Sequence, residues 1–354
     1  MRRKLSLLFS CLFFTTCMAL QAQFIMYVGE FSGNSAVSKI TSSGGVSTLA
    51  SGFDFPQGLA VDATGNVYVT SFGINKITPD GQVSLVANGT NFYYFSGTNR
   101  YYESLNALAF DPHGNLYAAG DNGSVYIITP AGMVSTFVTG FSELTALAFD
   151  SSGNLFVADY DSESISKITP DRVISDFADF VLNPQALAFD PGGNLYSTDV
   201  AGYIYKITPA GVLSTFATVP GNTEGIASDS SGNLYVSVYS EFGLTRVYQV
   251  SPAGVVSVFA TGGYGEASDI AIYMLRPPIN LDSIKLSGAN VTINGINGIS
   301  GETNYVLAST NLALSFSRWT PVSTNVLSAS GNFTITVTNT ISPGIRQQFY
   351  ILRH

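Results

Sequence analysis

Charge is scarce in this chain: Asp, Glu, Lys and Arg together make up 11% of 354 residues. That is less than half the usual share. The apolar fraction is 45%, so intrinsic disorder is excluded, because the chain has apolar material for a core and no excess of charge. Basic residues number 15 against 24 acidic ones, which excludes a basic nucleic-acid footprint. There are two His, two Cys and one Trp. His113 lies in an Asp-Pro-His-Gly-Asn turn and His354 is the last residue, so a His-rich metal cluster is excluded. A Gly-x-Ser-x-Gly elbow, a phosphate-cradling loop and an Asp-x-Asp-x-Asp-Gly calcium loop are also missing.

Residues 1–22 read as a secretory signal. Arg2, Arg3 and Lys4 precede a mostly apolar stretch from Leu5 to Leu20, and Ala22 offers a small residue for cleavage. The stretch is shorter than the ~20 apolar residues of a membrane span. Phe14, Thr15 and Thr16 make a poor lipobox before Cys17. Cleavage near Ala22 removes Cys11 and Cys17, so the mature chain has no disulfide, thiolate nucleophile or Cys-ligated metal. It also leaves 12 basic residues against 24 acidic ones. The expectation is an acidic protein, secreted or held in the periplasm or at the cell surface, with no membrane span in the mature chain and no nucleic-acid partner.

A repeat organises most of the remaining chain. Gly-Asn, an aliphatic residue and an aromatic recur at Gly65–Tyr68, Gly114–Tyr117, Gly153–Phe156, Gly193–Tyr196 and Gly232–Tyr235. Successive Asn residues are 49, 39, 40 and 39 positions apart. The long first interval holds an insertion from Asn88 to Glu103. Each unit runs through an apolar stretch, an Asp-x-x-Gly-Asn turn, an aromatic stretch, a stretch ending in Ile-Thr-Pro, and a Val-Ser-Thr-Phe-like stretch. The stretches are short, rich in Val, Ile, Phe and Tyr, and bounded by turn residues, so they read as strands. Asp opening a turn accepts backbone hydrogen bonds, and Gly takes positive φ without steric cost. Arg172 replaces the Gly of the Thr-Pro-x-Gly turn, so that turn is expected to differ.

Four strands per unit at a period near forty describe a propeller blade. Five full units begin near Pro56, Asn106, Thr145, Pro184 and Thr223. A partial unit at the front lacks its first strand, and Asp269–Tyr273 supplies a matching first strand at the other end. The fold expected is all-β: a six-bladed β-propeller over 23–275, its ring closed by a C-terminal strand that completes blade 1. Arg276-Pro277-Pro278 reads as the start of a linker over 276–280. Residues 281–354 read as a small β-sandwich-like module, with Trp319 as a core anchor or a sugar-stacking ring.

Gly58-Leu-Ala-Val-Asp-Ala-Thr-Gly-Asn-Val-Tyr-Val69 and its four copies resemble NHL repeats. They also resemble the SMP-30/gluconolactonase-like six-bladed propellers. The resemblance covers 24–273 and rests on turn and core residues, so it implies a fold more than an activity. The run from Asn304 to Leu312, with Phe349 to Leu352, resembles C-terminal β-modules of secreted bacterial proteins, which implies attachment or spacing outside the cell.

The first-to-second and third-to-fourth turns share one end of the ring and are nearly constant. The other loops share the opposite, variable end, where a ligand is expected. The position before each first strand should face that mouth: Gln57, Asn106, Thr145, Gln185, Glu224 and Ser268, with Asp269 and Glu266 adjacent. Oxygen ligands there suit one divalent cation such as Ca²⁺. In SMP-30/gluconolactonase-like enzymes a metal held by Glu, Asn and Asp promotes lactone hydrolysis, and Glu224, Asn106 and Asp269 have that chemistry. The alternative is that these residues bind channel water. At the end of each second strand stand Glu30, Ser71, Gly120, Asp159, Asp199 and Val238; the two Asp are expected to brace the adjoining loop. The insertion groups Phe92, Tyr93, Tyr94, Phe95, Arg100, Tyr101 and Tyr102. It reads as a contact surface for a protein or carbohydrate, with Gln57 and Gln185, or as a loop burying its own rings. The leading expectation is an exported, non-catalytic binding propeller without a required cofactor; the alternative is a metal-dependent lactone hydrolase.

Overall fold

The computed structural model describes residues 23–30, 35–96, 99–239, 246–262, 267–275, 280–287, 290–296, 303–309, 320–326, 333–337 and 349–353. The signal expected over 1–22, Glu266, most of the linker, Trp319 and His354 lie outside the described residues. Two compact units divide between Leu275 and Arg276.

Six four-stranded antiparallel sheets make up the first unit, a six-bladed β-propeller. Blade 1 pairs Ala267–Met274, Phe24–Glu30, Ala36–Thr41 and Val46–Ser51 in that order. Blade 2 runs from Leu59 to Asn88, blade 3 from Leu105 to Val138, and blade 4 from Leu144 to Asp179. Blade 5 runs from Pro184 to Thr218 and blade 6 from Asn222 to Thr261. The first strands of neighbouring blades pack on one another all round the ring, Ala267–Met274 touching those of blades 6 and 2. They form the inner wall.

The repeat motifs have direct structural roles. The aromatic of the Gly-Asn motif bridges two blades. Tyr68, Tyr117 and Phe156 meet the first-strand rings Phe110, Phe149 and Phe189 of the next blade edge-on, at 5.0, 4.9 and 5.0 Å. Such pairs add roughly 0.5–1.5 kcal/mol beyond area burial. In the turn, Asp150 Oδ1 accepts the Ser152 and Asn154 N–H groups at 2.9 Å and its Oδ2 accepts the Asn154 amide at 2.7 Å. Asp62, Asp111, Asp190 and Asp229 repeat the bonds to their own Asn. The Arg172 turn does not differ from the others. Arg172 takes φ +65° and donates to Thr169 at 2.8 Å, as Gly81 and Gly132 do to their own Thr. Its guanidinium lies 5.0 Å from the Phe137 ring centre, a contact that offsets the cost of a left-handed backbone.

In the insertion, a 3₁₀ turn at Gly89–Asn91 leads into a hairpin of Tyr93–Ser96 and Asn99–Tyr102. The second unit contains two three-stranded sheets. One joins Asn280–Ser287, Asn290–Ile296 and Phe333–Val337; the other joins Thr320–Val326, Thr303–Ser309 and Phe349–Arg353. The strand Asn280–Ser287 takes in the last residue of the linker expected over 276–280, and its register shifts between Leu281 and Ser283. No helix among the described residues is long and apolar enough to cross a membrane.

Candidate functional site

Gln57, Asn106, Thr145, Gln185, Glu224 and Ser268 all line one cavity of about 420 Å³. One residue comes from each blade. The sequence placed these residues before the first strands; from blade 3 onward and in blade 1 they lie inside them. The reason is a β-bulge. Leu105 pairs with Gly120 and Ala107 with Ala119, so Asn106 is an extra residue without a partner. Thr145, Gln185 and Glu224 are the extra residues of blades 4, 5 and 6. In blade 1 the shift falls between Ala267 and Ile270. A bulge frees one side chain from the pleat and re-aims it, and here it does so in five blades, while Gln57 of blade 2 precedes its first strand.

Part of this set is tied into the scaffold. Asn106 Nδ2 donates to the Leu144 carbonyl at 3.0 Å, and Thr145 Oγ1 to the Pro184 carbonyl at 2.6 Å. Each bond crosses to the next blade. Glu143 and Tyr160 also line the cavity; sequence reasoning missed them because they lie on loops that no motif marks. Among the described residues the lining contains three carboxylates and no Lys, Arg or His. Burial, then Asp161, Asp121 and Asp159, push the Glu143 carboxyl upward.

Asp269 is the exception in the ring. It sits just past the bulge, where the other blades have Gly58, Ala107, Ala146, Ala186 and Gly225. Its two flanking blades carry the two glycines. A Cβ on Gly225 would lie 2.7 Å from the Ile270 nitrogen and 3.0 Å from Asp269, so the glycine makes room for the strand that carries the Asp. Asp269 Oδ2 accepts the Leu59 N–H at 2.9 Å, and Oδ1 accepts the Ile270 N–H at 2.7 Å. Desolvation outweighs both bonds and raises its carboxyl to about 7.

The cation expected on Glu224, Asn106 and Asp269 meets an incomplete donor set. Both Asp269 oxygens already hold backbone N–H groups, and the Asn106 amide is tethered. No group of three His, Cys, Asp or Glu within reach of one ion occurs among the described residues. The second-strand residues act as loop braces. Asp159 accepts from the N–H groups of Ser142, Glu143 and Ser162, and Asp199 from Ala201, Tyr203 and the Tyr205 hydroxyl. Glu30 accepts the Ser38 hydroxyl, and Ser71 the Asp54 N–H.

The hairpin emerges on the same end as the cavity mouth, since it joins blade 2 to blade 3. Its rings divide. Phe92 is fully buried against Tyr126 at 5.3 Å, so it is core and not contact surface. Tyr126 donates its hydroxyl to Glu103, and desolvation of that carboxyl raises it to about 7. Tyr93, Tyr101 and Tyr102 are exposed. The side chains of Tyr94, Phe95 and Arg100 lie outside the described ones. Three further rings on this end, Phe55, Phe72 and Phe180, are 68%, 58% and 82% exposed. Phe55 and Phe180 take φ of +47° and +62°, unusual for bulky residues. Phe180 stands where Gly52 and Gly140 stand after blades 1 and 3: in each case the next N–H bonds back to the third-strand turn of its blade.

The sequence matches no protein-family model and no curated protein at significant similarity. Solved structures do match. A chain of a nidogen/laminin complex is 16% identical with a TM-score of 0.59, covering 71% of this chain and 98% of that one. A protein of unknown function from Bacteroides caccae is 15% identical at 0.54, covering 71% and 99%. A gluconolactonase from Xanthomonas campestris is 15% identical at 0.53, covering 78% and 93%. At this identity the likeness shows the fold. The chain is a six-bladed β-propeller of the architecture shared by NHL-repeat and SMP-30/gluconolactonase-like proteins. Propellers of this architecture include a partner in a binding complex and an enzyme.

Proposed function

We propose that this is an exported, non-catalytic binding propeller whose variable end takes a carbohydrate. One observation carries the reading: six blades each contribute one residue, in five of them at a bulge, to a single polar cavity without cationic groups among its described lining residues, and exposed rings stand on the same end. Amides, hydroxyls and carboxylates exchange hydrogen bonds with sugar hydroxyls, and aromatic faces stack on sugar rings. Residues 1–22 direct export, Ala267–Met274 serves as the clasp of the ring, and 281–354 folds as a small β-sandwich that spaces the propeller from its surroundings.

Calorimetric titration of the mature chain with neutral mono- and disaccharides tests this. Binding should be weakened at least tenfold by Gln57→Ala with Gln185→Ala, and by Ser at Tyr93, Tyr101 and Tyr102, with little change in thermal midpoint. Binding unaffected by both sets overturns the reading.

The second reading, metal-dependent lactone hydrolysis, draws on Glu224, Asn106 and Asp269 lining the same cavity. It requires turnover of glucono-1,5-lactone with added Ca²⁺, Mg²⁺ or Zn²⁺ that Glu224→Gln removes. No turnover with any ion ends it.

A further inference from the structure

The inner edge of each first strand has no strand beside it, and the register shows which groups it turns inward. In blade 2 the Thr70 N–H donates to the Gly58 carbonyl at 3.0 Å. In an antiparallel pair the bonding side alternates residue by residue. At the next pair, Leu59 opposite Val69, the Leu59 N–H and C=O therefore turn away from the second strand, toward the ring axis. The Leu59 N–H meets Asp269 there. Leu108, Leu147 and Leu187 occupy the same register, opposite Ala118, Val157 and Ser197. All three line the cavity.

Asp269 thus covers the inward N–H groups of Leu59 and Ile270 with its own carboxylate. By the same alternation the N–H groups of Leu108, Leu147 and Leu187, across the ring, turn away from their second strands and toward the cavity that these residues line. A backbone donor and acceptor pair facing a cavity demands a partner. Each Leu is preceded by a small residue, Ala107, Ala146 or Ala186, which keeps the floor open.

We infer that this arc recognises an acetamido group, making the ligand an N-acetylated sugar. The inference rests on the carbohydrate reading and names its class. An amide is the chemical complement of an exposed strand edge: its carbonyl accepts from an inward N–H, and its N–H donates to an inward carbonyl. Its methyl packs on the alanine and leucine atoms of the floor, while the bulge residues take the ring hydroxyls. A ligand carboxylate is opposed by Glu143, Glu224 and Asp269. A free amine gives the N–H arc nothing to donate to.

The experiment compares N-acetylglucosamine, glucosamine and glucose on the mature chain, by calorimetry and by saturation-transfer NMR. The expected result is affinity for N-acetylglucosamine at least tenfold above the other two, with the strongest saturation at its acetyl methyl. Equal affinity for glucose and N-acetylglucosamine overturns the inference and leaves carbohydrate binding standing. Tightest binding of glucosamine also overturns it, in favour of recognition by the carboxylate wall. Binding of none of the three sugars overturns the inference, and the disaccharide titrations then decide the carbohydrate reading.

Discussion

Two residues hold conformations or charge states that the fold alone does not require. Phe180 keeps a bulky, exposed ring in a left-handed backbone where two other blades use glycine. Strain of this kind costs on the order of 1–3 kcal/mol and persists where function holds it. Phe180→Gly should therefore leave the denaturant midpoint unchanged or raised while weakening saccharide binding; a lowered midpoint would show that the ring is structural. Asp269 has a folded pKa raised from 3.8 to about 7 by desolvation. Its contribution to stability is complete below about pH 4 and is lost as pH rises toward 7. Asp269→Asn should flatten that part of the stability–pH curve relative to wild type. Identical slopes for the two proteins would place the ionisation elsewhere, Glu103 being the other carboxyl raised to about 7.

At the scale of elements, the blade grammar was readable because each motif has a local cause. Asp62 and its four equivalents close their turns with bonds inside five residues, so spacing alone located them. The bulges were not readable. Nothing in Leu-Asn-Ala or Leu-Thr-Ala marks the middle residue as unpaired, because the shift arises from the partner strand. The six cavity positions were found by ring geometry, and the tethers of Asn106 and Thr145 to the next blade were missed. In the insertion, periodicity could not separate Phe92 from its tyrosine neighbours, since burial there depends on Tyr126 in blade 3. Phe92→Ala should cost roughly 3–5 kcal/mol, as large-to-small core changes do. Tyr101→Ser should stay within about 0.5 kcal/mol, as surface changes do. Chemical denaturation of the two variants reads the contrast directly.

Across the whole molecule, blade 1 takes its first strand from far along the chain, and the clasp proposed above predicts that the ring depends on it. Ala267–Met274 pairs with Phe24–Glu30 in a register that runs from Phe24 opposite Met274 to Glu30 opposite Ala267. A chain ending at Leu275 should keep a single cooperative unfolding transition. A chain ending at Gly262 should lose it, because it exposes an inner edge on blade 1 and removes Asp269 from Leu59. Similar midpoints for the two truncations would mean that the ring does not need its clasp.

The bulges carry one more consequence. A residue without a cross-strand partner is released from the alternation that governs its neighbours, so the ladder does not dictate its identity, although Asn106 and Thr145 are also held by bonds to the next blade. Blades 3 to 6 thus each offer one slot, filled by Asn, Thr, Gln and Glu in turn, while the ladder beneath it stays in step. A duplicated unit with such a slot turns a monotonous ring into an addressable surface, in which selectivity can change one position at a time without a change of strand register.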